Sequence, residues 1–132
     1  MKAPIGQQYV LDASALIALL LMETGSDIVA DAIGNGLISA VNLTEALSKL
    51  HDKGMRISEA IHAVRIFQLR VEAFDEKLAL ASAALRAPTI PFGLSLGDRA
   101  CLALAQRKNL PVLTADRIWA DLKLGLEIKL IR

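Results

Sequence analysis

Four acidic residues of this 132-residue chain lie against hydrophobic runs. Asp12 ends Tyr9-Val10-Leu11, and Glu45 follows the run from Leu37 to Val41 by one short turn. Asp98 opens the stretch that holds Cys101-Leu102-Ala103-Leu104, and Asp116 follows Pro111-Val112-Leu113-Thr114. A carboxylate taken out of water is costly unless it is paired, hydrogen-bonded or metal-bound. Singly, each acid is better explained as a helix cap or a solvated residue. Gathered together, they point to a divalent cation, because like charges a few ångströms apart raise one another's pKa and a hard cation removes that conflict. Oxygen-only ligands suit Mg²⁺ or Mn²⁺, with water filling the remaining octahedral positions. Such an ion activates water and stabilises in-line displacement at phosphorus, so the expected chemistry is metal-dependent hydrolysis of a phosphodiester.

Other polar residues offer less. Neither His51 nor His62 neighbours an acidic motif, which disfavours zinc. Cys101 is the single cysteine, so no intrachain disulfide is available, and its apolar surroundings make it a small buried hydrophobe. Asp27, Asp31, Asp52, Glu59, Glu72 and Glu76 lack the setting of the four and read as surface charge. Asp75 reads as a cap.

The elements that must position the acids alternate between strand and helix. Tyr9 to Leu11, Leu37 to Ala40, Val71 to Phe74, Val112 to Thr114 and Ile128 to Ile131 read as strands. Helices are expected over Ser14 to Met22, Ser26 to Ile33, Asn42 to about Lys53, Ser58 (as N-cap) to Leu69, Asp75 (as N-cap) to Ala87, Gly97 to Lys108 and Ile118 to Leu122. Pro88, Pro91 and Gly93 mark a loop. Continuously apolar strands alternating with helices predict an α/β fold: a central, mostly parallel sheet of about five strands flanked by helices, in one domain over residues 1–132. Ligands of such sheets bind beyond the carboxyl ends of the strands. Asp12 and Asp116 fall at those ends, and Glu45 falls in the first turn of the helix after the second strand. Asp98 begins the helix that leads to the fourth strand.

Composition sets limits. Apolar residues make up 54% of the chain, yet no uninterrupted apolar stretch approaches the roughly 20 residues of a membrane span. Met1-Lys2-Ala3-Pro4 has no signal-peptide pattern, so a cytoplasmic protein is expected. The net charge of +1 supplies no global basic field, and a nucleic acid would have to be held by local patches. Aromatic residues are 4% of the chain, too few for a broad base-stacking platform.

At the four acids the chain resembles a known family. Val10-Leu11-Asp12-Ala13-Ser14-Ala15-Leu16 resembles the opening motif of PIN-domain nucleases, and Asn42-Leu43-Thr44-Glu45 the second acidic motif. Leu94-Ser95-Leu96-Gly97-Asp98-Arg99-Ala100 is similar to the third, and Val112-Leu113-Thr114-Ala115-Asp116 to the fourth. The motifs occur in order, across nearly the whole chain. The length resembles the VapC-type toxins of prokaryotic toxin–antitoxin pairs. The resemblance implies a single PIN-like domain acting as a Mg²⁺- or Mn²⁺-dependent endoribonuclease, a homodimer, neutralised by a VapB-type antitoxin. It implies that Asp12, Glu45, Asp98 and Asp116 form the catalytic, metal-holding pocket, with Ser14 and Thr114 as supporting hydroxyls. The helices from Ser14 to Ile33 and from Asn42 to Leu69 are candidates for the dimer and antitoxin surfaces. Lys49, Lys53, Arg56, Arg99 and Arg117 are candidate phosphate contacts, with a salt bridge to a pocket acid as the alternative for Arg99.

Two other classes compete. One is a non-catalytic PIN-fold interaction module. The other is a phosphoacceptor receiver domain, which wants adjacent acids at the acceptor and a lysine after a late strand. Leu11 and Ala13 flank Asp12, and Ala115 and Asp116 follow Thr114, which speaks against the receiver.

Overall fold

The computed structural model describes residues 5–132; Met1 to Pro4, read above for a leader pattern, lie outside the described residues. Strands β1 (Tyr9–Leu11), β2 (Gly36–Ser39) and β4 (Val112–Thr114) are buried throughout, whereas β3 (Arg70–Glu72) and β5 (Ile128–Leu130) are more open. All five pair in parallel, in the order β3-β2-β1-β4-β5.

Alternate strand residues feed two cores. Tyr9, Leu11, Ile38 and Leu113 join one core with helices α1 (Ala13–Leu20), α2 (Ser26–Ala32), α3 (Ala40–Asp52) and α4 (Ile57–Ile66). Val10, Leu37 and Val112 join the other with α5 (Glu76–Ala84), α7 (Leu96–Lys108) and Trp119. Burial on both faces is why these strands carry no polar alternation. Among the described residues no helix is long and apolar enough to cross a membrane.

The order of the strands creates the site. From β1 the chain proceeds outward to β2 and β3, then crosses back to β4 on the other side of β1. The connections after β1 and β4 therefore run in opposite directions and leave a crevice at the carboxyl edge, where open α/β sheets bind ligands. Leu11 lies opposite Leu113, so Asp12 and Thr114 emerge side by side.

Local chemistry shifts several expected boundaries. Helix α1 starts at Ala13, one residue before the expected Ser14, because the Asp12 carboxylate caps it by accepting the Ala15 N–H. Helix α3 starts at Ala40, two residues before the expected Asn42, because the Ser39 hydroxyl accepts the Val41 N–H at 3.2 Å. Glu45 is thereby in the second turn rather than the first. Arg56 precedes α4 without a side-chain cap, and Ser58 is already helical. Strand β3 ends at Glu72 rather than Phe74. The expected loop around Pro88 and Pro91 is instead a short helix α6 (Arg86–Thr89) followed by a 3-10 turn, Ile90–Phe92. Both prolines sit in first turns, where an N–H has no helical partner to lose.

Candidate active site

Asp12 is the anchor. Its Oδ1 accepts the Ala15 N–H at 2.9 Å and the Ser14 hydroxyl at 2.7 Å, and its Oδ2 accepts the Thr114 hydroxyl at 2.6 Å. The Asp12 N–H donates to the Leu113 carbonyl at 3.2 Å. Only 5% of the residue is exposed. Burial pushes its carboxyl up to about 6; the hydrogen bonds pull the other way, and the charge of Asp98 adds to the rise. Among the described residues no Lys or Arg forms a salt bridge with Asp12, Glu45, Asp98 or Asp116.

Two hydroxyls tie the ends of β1 and β4 together. Thr114 is fully buried; its Oγ1 donates to Asp12 and accepts the Asp116 N–H at 3.0 Å. The Ser14 Oγ accepts the Ala115 N–H at 2.9 Å and lies 3.5 Å from the Thr114 Oγ1. Asp116 caps the 3-10 turn Arg117–Asp121, its Oδ1 accepting the Ile118 N–H at 3.1 Å. Ser14 and Thr114 thus each donate a hydrogen bond to the Asp12 carboxylate.

The remaining two acids meet where α3 approaches the start of α7. Asn42 is buried, and its Nδ2 donates to Glu45 Oε1 and to the Gly97 carbonyl, both at 2.9 Å. The Glu45 carboxylate lies against Gly97, in space that a Cβ there would occupy. Asp98 is the next residue. With Ser95 it forms a reciprocal cap: Ser95 Oγ accepts the Asp98 N–H at 3.2 Å, and Asp98 Oδ2 accepts the Ser95 N–H at 2.9 Å. Cys101 lies fully buried one turn further along α7. Burial pushes its thiol well above the usual range, and the charges of Asp12, Asp98 and Glu45 push the same way. These three acids therefore share one neighbourhood.

Each of their carboxylates nonetheless accepts a local hydrogen bond. Among the described residues no three of the His, Cys, Asp and Glu side chains form a ready-made cation site. Glu45, Asp98 and Asp116 each engage one oxygen, leaving Oε2, Oδ1 and Oδ2 without a partner among the described residues. An all-oxygen donor set, a buried carboxylate without a cation and one free oxygen on each of its three neighbours fit a hard divalent ion.

The basic candidates are placed differently. Arg99 Nη1 donates to the Ser82 carbonyl at 3.0 Å and Arg117 Nη1 to the Arg132 carbonyl at 3.0 Å, so neither neutralises a pocket acid. Arg56 pairs with Glu59 at 2.7 Å. Lys53 follows the α3 terminus, about 12 Å along the axis from Glu45 at 1.5 Å per residue. His51 and His62 are exposed. Asn42 is the residue that reading the acids alone overlooks; its signal was its spacing of three from Glu45, which puts both on one helix face.

A family model described as the PIN domain matches residues 9–124. The chain belongs to the PIN domain family. No curated protein sequence matches it. Among solved structures, this PIN domain is similar to a chain of a toxin–antitoxin complex from Klebsiella pneumoniae, with TM-score 0.72 and 20% identity over 94% of this chain and 98% of that one. It is equally similar to a chain of DNA-bound VapBC from Salmonella typhimurium, with TM-score 0.72 and 18% identity over 96% of this chain and 99% of that one. A sarcin–ricin loop cleaving VapC toxin from Mycobacterium tuberculosis gives TM-score 0.72 and 18% identity over 90% and 98%. At these identities the likeness is one of fold.

A separate apolar groove runs between α3, α4 and β3. It encloses about 340 Å³ and is walled by Leu43, Leu47, Ile61, Val64 and Val71, with Arg65 beside them.

Proposed function

We propose that this PIN domain is a Mg²⁺- or Mn²⁺-dependent endoribonuclease, the toxin of a toxin–antitoxin pair. The observation that carries the reading is Asp12: a buried carboxylate, oriented by Ser14, Ala15 and Thr114, with its pKa raised to about 6 and no salt-bridge partner among the described residues. Strongly perturbed acids at a sheet's ligand edge mark functional sites. Asp12, Glu45, Asp98 and Asp116 would hold the ion. When bound, the ion would polarise a phosphate oxygen and supply an activated water.

The chain's own residues set the geometry. Thr114 and Ser14 fix both Asp12 oxygens in direction, so that little reorganisation remains when a ligand arrives. The Asp116 backbone is tied to the same Thr114 oxygen, which couples the two strand-end acids. Asp98 stands at the positive end of α7, where its charge is favoured. The fold likeness to toxin chains supports the biological role, with RNA as substrate, a VapB-type antitoxin as inhibitor, a second copy as dimer partner and the cytoplasm as location. The α3–α4–β3 groove offers such an antitoxin an apolar seat, and Arg65 offers it a charge to pair.

Purified protein incubated with RNA tests the reading. Cleavage should require added Mg²⁺ or Mn²⁺ and stop in excess chelator. Undiminished cleavage in chelator rejects metal dependence, and no cleavage under any cation condition favours a non-catalytic interaction module.

A further inference from the structure

Asn42 is 1% exposed, yet its Oδ1 has no hydrogen-bond partner among the described residues. A buried acceptor left without a donor is unfavourable, so something must hold the amide in this orientation. Both Nδ2 hydrogens are used, one on Glu45 Oε1 and one on the Gly97 carbonyl. Flipping the amide would turn Oδ1 toward these same two acceptors. The orientation is therefore dictated by what Asn42 donates to, and those partners lie on two helices, Gly97 being 55 positions from Asn42 in sequence.

Gly97 completes the arrangement. A Cβ at this position would overlap the Glu45 carboxyl group, whose three atoms are the nearest to it. Its absence is what allows the carboxylate to lie against the first turn of α7, one residue from Asp98. Gly97 has no positive φ to require glycine, so close approach is the remaining reason for it.

We infer that Asn42 is a positioning residue for Glu45: with Gly97 it forms a seat that holds this carboxylate against the first turn of α7, beside Asp98, with one oxygen left to meet the divalent ion. The inference rests on the metal reading above. Asn42 does not touch the ion; it directs one oxygen of Glu45 and leaves the other free. Second-sphere partners of this kind govern metal affinity more than fold stability.

Calorimetric titration with Mn²⁺ tests the seat, with thermal melting in chelator as the paired readout. Asn42→Leu keeps the size of the side chain and removes its donors. Gly97→Ala adds one methyl group in a helical first turn, where alanine is otherwise the better residue. Both variants should bind Mn²⁺ about 10-fold or more weakly. Gly97→Ala should melt in chelator at or above the parent temperature, so its stability and its affinity move in opposite directions. Mn²⁺ affinity within twofold of the parent in either variant overturns the proposal. So does an affinity loss in Gly97→Ala accompanied by lower melting in chelator, which is the mark of a merely structural role. A parent protein that takes up no Mn²⁺ at millimolar concentration overturns the metal reading itself, and the seat with it.

Discussion

Thr114 Oγ1 lies 2.6 Å from Asp12 Oδ2 and joins two residues 102 positions apart in the chain. The bond spans the point where the sheet changes direction, between the carboxyl ends of β1 and β4. Because the same oxygen accepts the Asp116 N–H, one hydroxyl orders two of the four acids. Thr114→Val keeps the shape and removes the hydroxyl. It leaves a buried carboxylate oxygen and a backbone N–H without partners, which should lower stability by about 1–3 kcal/mol. RNA cleavage should fall about 10–100-fold, as for other groups that orient a metal ligand. Urea unfolding and cleavage assays on the same preparation read both effects.

The ionisation of Asp12 gives a pH dependence with a definite sign. Burial raises its folded-state pKa from 3.8 to about 6, so the folded protein holds this proton more tightly than the unfolded chain. The metal-free protein gains from the protonated form below about pH 4 and loses that gain as pH rises to about 6. The two units correspond to a loss on the order of 3 kcal/mol. Asp12→Asn removes the ionisation. It should melt higher than the parent in chelator at pH 7, and the difference should vanish near pH 4. Melting curves across that window check the sign directly.

Much of this site was readable from the sequence, and the reasons are local. β1, β2 and β4 announce themselves as short apolar runs because both sheet faces are covered. Asp12 and Asp116 follow such runs directly, so their place at the carboxyl edge needs only the strands. Asp98 is less legible, since a helix start alone does not say which edge it faces; in the fold its charge is the smallest of the influences on Asp12. The start of α3 differs from the expected Asn42 because the helical spacing of apolar residues begins later than the Ser39 cap that actually opens the helix. The spacing of three places Asn42 on the same face of α3 as Glu45, but its second partner, Gly97, is met across a tertiary contact that local spacing does not reveal. The turns after α5 looked like a loop because prolines punctuate it, yet both fall where a helix tolerates them.

Gly25 links the end of the chain to the start of α2. Its φ is +97°, and a Cβ there would overlap the Ile131 carbonyl. Gly25→Ala combines left-handed strain with a backbone collision and should cost on the order of 2 kcal/mol. Because the collision lies on backbone atoms, little relaxation is available. Chemical denaturation should show a lower midpoint with an unchanged slope.

The apolar groove gives a prediction separable from catalysis. Val71 lines it and is 43% exposed, so a charge there faces water in the free protein. Val71→Glu should leave RNA cleavage within about twofold of the parent, because surface changes away from special features cost little. Co-expressed with a cognate antitoxin, the variant should escape inhibition. Retained inhibition places the antitoxin elsewhere.

The most direct test of the acidic site is a side-by-side measurement of RNA cleavage by the parent and by Asp12→Asn, both in Mn²⁺ at pH 7 and both verified as folded by melting. The expected result is cleavage by the parent and loss of at least about 100-fold in the variant, on the scale by which a missing transition-state contact slows an enzyme. Equal cleavage by the two proteins contradicts the assignment of Asp12, and with it a metal centre built on the four acids.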